Sequence, residues 1–281
     1  MATGTLNIAT APGTITVVTD PSGQLNPGDS INFDTLPPNC KVNQTVMFDI
    51  DNSGRTPLAI NITPDSAPPV DPNFPYNNQF PGATIINAPQ TGDLTINGTT
   101  TIIEGVTLTG NVKVTNGGTI VIKSTSPTST VGSVVTGHIH ANDNTTVIIY
   151  NSTIGSSVAV AGASELKIVK GTVGGNTEVA RTGKVVIKGT VGGNTEIARS
   201  GKVTIKGTVG GNTEISANQQ ITIDALTVQK NVEISSNIVS TIITNLTSTN
   251  GNIEIQGNTG CSYTNILAPH GQINISGCNK V

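Results

Sequence analysis

The chain has no tryptophan, only three tyrosines and four phenylalanines, so aromatics make up 2% of its 281 residues. That scarcity counts against a sugar-binding cleft, which needs rings to stack on sugar. Charged residues reach only 11%, less than half the usual quarter of a globular chain. With a net charge of −3, the sequence has no basic stripe of the kind nucleic acid requires. No apolar run approaches the ~20 residues of a membrane span. The opening "MATGTLNIAT" lacks the basic start and apolar run of a signal peptide, which implies a trimmed form, a cytosolic protein, or one released by lysis. Three cysteines are present, Cys40, Cys261 and Cys278, and no two have short metal-ligand spacing. Cys261 and Cys278 lie 17 apart, about one repeat of the pattern described below, and are a candidate disulfide between neighbouring coils. The odd one, Cys40, is a candidate for a free thiol or an intersubunit bond.

The missing charge is replaced by 43 threonines, 32 glycines and 30 asparagines. With the abundant, regularly placed Val and Ile, this is a β composition that can still bury a core. An all-β protein is expected.

Residues 1–62 show strand-like alternation between turn signals: "TLNIATAPGTITVVTD", "INFDTL", "TVMFDI" and "LAINI". Five or six short strands at this spacing predict a small β-sandwich or jelly-roll-like domain, with Phe33, Met47 and Phe48 in its core. Residues 63–91 hold seven of the 15 prolines and read as a linker or long loop. Phe74, Tyr76 and Phe80 fall in it and are expected to glue the two parts together. From residue 92 to 281 the pattern becomes a repeat.

Its clearest section is "KGTVGGNTEVARTGKVVI" from Lys170, repeated from Lys188 and again from Lys206. Val173, Val179, Val185, Val191, Ile197, Val203, Val209, Ile215 and Ile221 follow each other at intervals of six. A coil of about 18 residues thus offers three equivalent apolar points. Such coils are triangles with a strand on each side, and their stack is a parallel β-helix. Ile187, Ile205 and Ile223, two residues beyond every third point, read as inward alternates on a longer strand. Glycines after the apolar points and in "KG" suit tight corners with positive φ. Aligning "DLTI", "NVKV", "HIH", "SVAV", "NTEV", "NTEI", "NTEI", "NVEI", "NIEI" and "QINI" on one face gives about ten coils, with a longer excursion around "STSPTSTVGS".

The six-residue spacing of apolar positions in "VGGNTE" resembles the hexapeptide acyltransferases, whose β-helices are left-handed. The block "GTVGGNTEVARTGKVVIKGTVGGN" also resembles the bactofilins, polymer-forming proteins with a right-handed triangular β-helix. The second resemblance covers roughly residues 170–223. Irregular coil lengths fit a strict hexad poorly, so a right-handed coil is expected, as in most parallel crossovers.

Chemistry is hard to find in the pattern. A third relation, the pectate-lyase type of β-helix, clusters its acids, whereas Asp93, Asp143 and Asp224 are scattered. Glu178, Glu196 and Glu214, continued by Glu233 and Glu254, form a column of like charge rather than a differentiated acid and base. Lys170, Lys188 and Lys206, Lys184 with Lys202, and Arg181 with Arg199 form cationic columns. These read as solvated faces, or as surfaces for lateral packing against the acidic face of another rod. Asn176, Asn194, Asn212 and Asn231 are candidates for a hydrogen-bonded surface ladder. His138 and His140 alternate onto one strand face, where a metal site or a histidine base would have to find a third partner that the sequence does not offer. His270 stands in a turn sequence, "APHG". Ice binding wants uncharged Thr-x-Thr rows, while the most regular coils here carry Lys and Glu.

The expectation is a non-enzymatic structural protein without cofactor or metal. It associates with itself into a fibre, appendage or surface layer, outside a cell or on a spore. Two alternatives are an adhesive or carbohydrate-binding tail fibre, and an enzyme on a β-helix: a polysaccharide lyase or hydrolase, or a hexapeptide acyltransferase.

Overall fold

The structure, a computed structural model, describes residues 2–6, 13–19, 25–34, 45–53, 57–64 and 71–281. The chain divides into two compact units, residues 1–71 and 72–281. Cys40 lies outside the described residues.

In the first unit the strands are β1 (Ala2–Leu6), β2 (Gly13–Thr19), β3 (Ser30–Phe33), β4 (Thr45–Asp51) and β5 (Leu58–Pro64). The unit is all-β as expected, but it closes as one ring, in the order β1-β2-β3-β5-β4, rather than as two facing sheets. Closure removes the free edges that a two-layer arrangement of such short strands would leave. Period-two alternation turns Ile15, Val17, Ile31, Phe33, Val46, Phe48, Ala59 and Ile62 into a buried interior. The reading of Met47 as core concerns a side chain outside the description.

The second unit is a parallel β-solenoid. Ten strands form its first face, from Leu94–Asn97 to Ile273–Ile275, one per coil and each hydrogen-bonded to the next. The expected rows are all there, and "HIH" contributes one of them: Ile139 sits between Val112 and Val158. At ~4.8 Å per strand the stack is about 45 Å long. The other two faces lie on either side of a bend. Glu165–Val173 pairs with Thr146–Tyr150 through its first half and with Thr153–Ile154 through its end, so one long strand serves the second and third faces of the triangle. Successive equivalent residues on the first face, Leu94, Val112, Ile139, Val158, Thr177, Thr195, Thr213, Val232, Ile253 and Ile273, show coils of 18 to 21 residues with one exception. The step from Val112 to Ile139 is longer because it contains the excursion 124–133. Ser133, buried where that excursion returns, donates its hydroxyl to the carbonyls of Lys123 and Ile103.

All nine apolar points predicted from the exact copies are buried in one continuous core, as are Ile187, Ile205 and Ile223. Burying one such side chain contributes about 1.5–3 kcal/mol, so the repetition accumulates stability coil by coil. The glycine expectation holds at Gly207 of "KG", at φ 126°, and needs correction after the apolar points. Gly174, Gly192 and Gly210 do not adopt positive φ. They are needed because a Cβ on each would fall on the carbonyl oxygen of the coil below: Gly155, Gly174 and Gly192 respectively. Positive φ occurs at the "KG" corner, at Lys170, Gly207 and Ala225, and also at another corner. There Asn116, Asp143, Arg181, Arg199, Ala217 and Ser236 hold the left-handed conformation at φ between 48° and 57°.

Residues 72–83 run over the outside of the second face. Strands Thr100–Glu104, Thr119–Lys123 and Thr146–Tyr150 are apolar at consecutive positions because both their sides are covered. Their outward Ile102, Val121 and Ile148 pack against Phe80 and Ala83. Phe74 and Tyr76 pack on Tyr150 and Val169, with Phe74 edge-on to both rings at 4.7 and 5.2 Å. The aromatic residues of the proline-rich stretch therefore act as a strap on the solenoid itself. No helix among the described residues is long and apolar enough to cross a membrane.

Candidate functional site

On the first face the side chains that alternate outward form columns. Glu178, Glu196, Glu214, Glu233 and Glu254 stand in strict register, one per coil. The same column continues towards the start of the rod as Ala159, His140, Lys113 and Thr95. Beside the glutamates runs a column of small residues, Ala180, Ala198, Ser216 and Ser235, so the carboxylates rise from a low floor. At ~4.8 Å spacing, each neighbouring pair of full charges repels by about 1 kcal/mol in water.

Cations line the next corner and the second face. Arg181 and Arg199 occupy left-handed corner positions in adjacent coils. Lys184 stacks on Lys202, and Lys188 on Lys206. Lys184 pairs with Glu165 at 2.8 Å and Lys206 with Asp224 at 3.3 Å. Among the described residues, Arg181, Arg199, Lys188, Lys202 and the five column glutamates have no ion-pair partner. Lys170 reaches the hydroxyl of Tyr150 at 3.0 Å instead.

The asparagine column is a hydrogen-bonded ladder. The backbone N–H of Asn194 donates to Oδ1 of Asn176 at 2.9 Å, that of Asn212 to Asn194 at 2.8 Å, and that of Asn231 to Asn212 at 3.1 Å. The ladder reaches further than the repeat implied. Asn252 and Gln272 continue it upward. Asn176, Ser157, His138 and Asn111 carry it down to Asp93. His138 is thus one rung: its Nδ1 accepts from Ser157 N–H, which places the ring proton on Nε2. His140 is exposed on the column two residues away, and both line a shallow depression with Asp93, Asn111, Lys113 and Asn142. No group of three metal-ligating side chains occurs among the described residues.

The remaining candidates are dispersed. Asp143 holds a corner and Asp224 its lysine. His270 is exposed beside the turn closed by Gly271 N–H and Ala268 O. Cys261 and Cys278 are register partners in the last two coils, with Cα atoms 4.6 Å apart and a disulfide between them.

A second ladder, inside the rod, was not read from the sequence. Asn218, Asn237 and Asn258 are buried in successive coils. Asn237 Oδ1 accepts from the backbone N–H of Asn218 at 2.8 Å. Asn237 Nδ2 donates to Asn258 Oδ1 at 2.6 Å. Ser200 and Thr182 extend the row through Ser200 N–H to Asn218 Oδ1 and Thr182 N–H to Ser200 Oγ. Its signal was a polar residue recurring once per coil just after the left-handed corner. Compared with family models, with curated proteins and with solved structures, the chain has no match, so the bactofilin and acyltransferase resemblances rest on the repeat pattern alone.

Proposed function

We propose that this protein is a structural, self-assembling rod that lies side by side with copies of itself in a fibre, appendage or surface layer outside a cell or on a spore. The observation that carries this reading is a five-rung glutamate column without ion-pair partners beside a cationic corner where Arg181 and Arg199 stand one coil apart. The five glutamates and the corner arginines share one axial step, with the unpaired Lys188 and Lys202 nearby, so the acidic face of one rod can meet the basic edge of another in register. Each exposed pair contributes at most about 1 kcal/mol. Several pairs held on rigid rods act together, because closing the first raises the effective concentration of the next. A heterologous contact of this kind propagates into an open array unless its rotation closes a ring. The dispersal of titratable groups, with no acid, base and nucleophile brought together among the described residues, gives no support to a catalytic reading.

Electron microscopy and sedimentation at low and high ionic strength test the proposal. Ordered arrays at low salt that dissolve towards ~1 M salt support it, since screening there acts within about 3 Å. Glu196→Lys with Glu214→Lys should abolish them, and mixing with Arg199→Glu and Lys202→Glu should restore co-assembly. A protein that stays monomeric at every salt and concentration refutes it; a stable monomer or trimer with affinity for glycans favours the adhesive alternative.

A further inference from the structure

Lys123 is the one buried charged side chain among the described residues, at 1% exposure. Its Nζ lies 2.5 Å from Oε1 of Glu104, its register partner in the coil below. The other oxygen of that carboxylate, Oε2, accepts a hydrogen bond from Nδ2 of Asn77 at 3.3 Å. Asn77 belongs to the strap, in its short 3-10 turn Asn77–Gln79. The Phe74 ring covers the ammonium, with its centroid 4.8 Å from Nζ. A buried ion pair is a poor way to add stability, since desolvation offsets most of its attraction. The arrangement has a different chemical sense. One carboxylate bridges an amine that has protons to lose and a carboxamide nitrogen that must gain one in order to leave.

We infer that Lys123 and Asn77 become joined by an isopeptide bond, formed by the fold itself with Glu104 as proton carrier. Oε1 of Glu104 takes a proton from the Lys123 ammonium, freeing the lone pair of Nζ. Nζ attacks Cγ of Asn77 and a tetrahedral centre forms. Glu104, through Oε2, protonates Nδ2; the Cγ–Nδ2 bond breaks and the nitrogen leaves. Nζ gives up its second excess proton to the departing ammonia. In sum, an ammonium and a carboxamide become a secondary amide and an ammonium ion, and Glu104 returns to its carboxylate. Charge and atoms balance, and no oxidant or cofactor is involved. Because both partners contact one carboxylate, the amine and the carboxamide meet within one site rather than by diffusion. Phe74 and the buried Tyr150 wall the amine side against water, while the exposed Asn77 side gives ammonia an exit. The product ties the strap covalently to the second coil, whether or not rods associate with one another.

Intact mass spectrometry of the full, reduced chain tests this. The wild type should weigh about 17 Da less than its sequence, one ammonia per molecule. Trypsin should then leave a branched product that joins residues 56–113 to residues 114–167, uncut after Lys123. Asn77→Ala, Lys123→Arg and Glu104→Gln should each restore the full mass. Asn77 is exposed, so its variant keeps the test valid even if the two buried changes impair folding. Full mass in the wild type after prolonged incubation overturns the inference. So does a deficit that persists in Asn77→Ala, or one without the branched peptide, which would mean a succinimide at an asparagine.

Discussion

Replacing Thr195 by Val should stabilise the rod. Thr177, Thr195 and Thr213 stack in register on the first face, with side chains pointing into the core. They are 0%, 1% and 2% exposed. The hydroxyl oxygens of all three are buried without a hydrogen-bond partner. The coils on either side place Val158 and Val232 at the same position, both buried, so the site accepts a valine without repacking. An unsatisfied buried hydroxyl costs about 1–3 kcal/mol. Valine has nearly the same shape and removes that cost. For a unit of this size, 1 kcal/mol corresponds to roughly 2–4 °C in Tm, so Thr195→Val should raise Tm by about 2–12 °C. The triple variant should gain less than three times as much, because the sites touch. Calorimetry and urea titration followed by circular dichroism measure the change, with Val158→Thr as the mirror control that should lose a similar amount. A Thr195→Val protein that is less stable than wild type, or a Val158→Thr protein that is not, would show that these hydroxyls have partners and refute the reasoning.

Asn237→Ala should cost about 1–3 kcal/mol by denaturant titration, since it leaves the buried Asn218 N–H without its acceptor and removes the donor to the Ile215 carbonyl, while Asn258 keeps the backbone N–H of residue 237 and the Ile234 carbonyl. Ala217→Gly should gain up to about 1 kcal/mol: Ala217 holds φ 55°, a conformation that penalises a Cβ, and the gain is partly offset by glycine's larger entropy loss. Cys278→Ser should destabilise the end of the rod by about 3 kcal/mol, the loop-closure value for the separation of 17, read as faster amide exchange across Ile253–Gln256 with little change near Val112–Thr115.

The solenoid was legible because repetition amplifies a weak signal. One valine at a six-residue interval means little, while nine in succession fix three strands per coil and their inward sides. The asparagines of "GGNTE" were legible for the same reason. The buried ladder through Asn218 was not, because asparagine ordinarily signals a turn, and only a register between coils turns its carboxamide inward. The strap escaped notice because proline-rich sequence reads as connection. Its signal lay elsewhere, in the unalternating "TTIIE", "TIVIK" and "TVIIY", whose second apolar side requires a cover. Glu104 and Lys123 end equivalent strands one coil apart, but Asn77 belongs to no repeat. Nothing in the pattern brings Asn77 to that pair before the strap is laid down.

The surface ladder from Asp93 to Gln272 works as a set of detents. Each coil clicks into the one below at the same corner, whatever number of residues it spent on the way round. That is how coils of 18 to 21 residues, and one carrying the 124–133 excursion, keep a common phase. Length is therefore a free variable of this architecture wherever the chain lies between detents. The site of the excursion is an insertion port, where a foreign segment can be displayed at a chosen height along the rod while the coils above and below it stay in step.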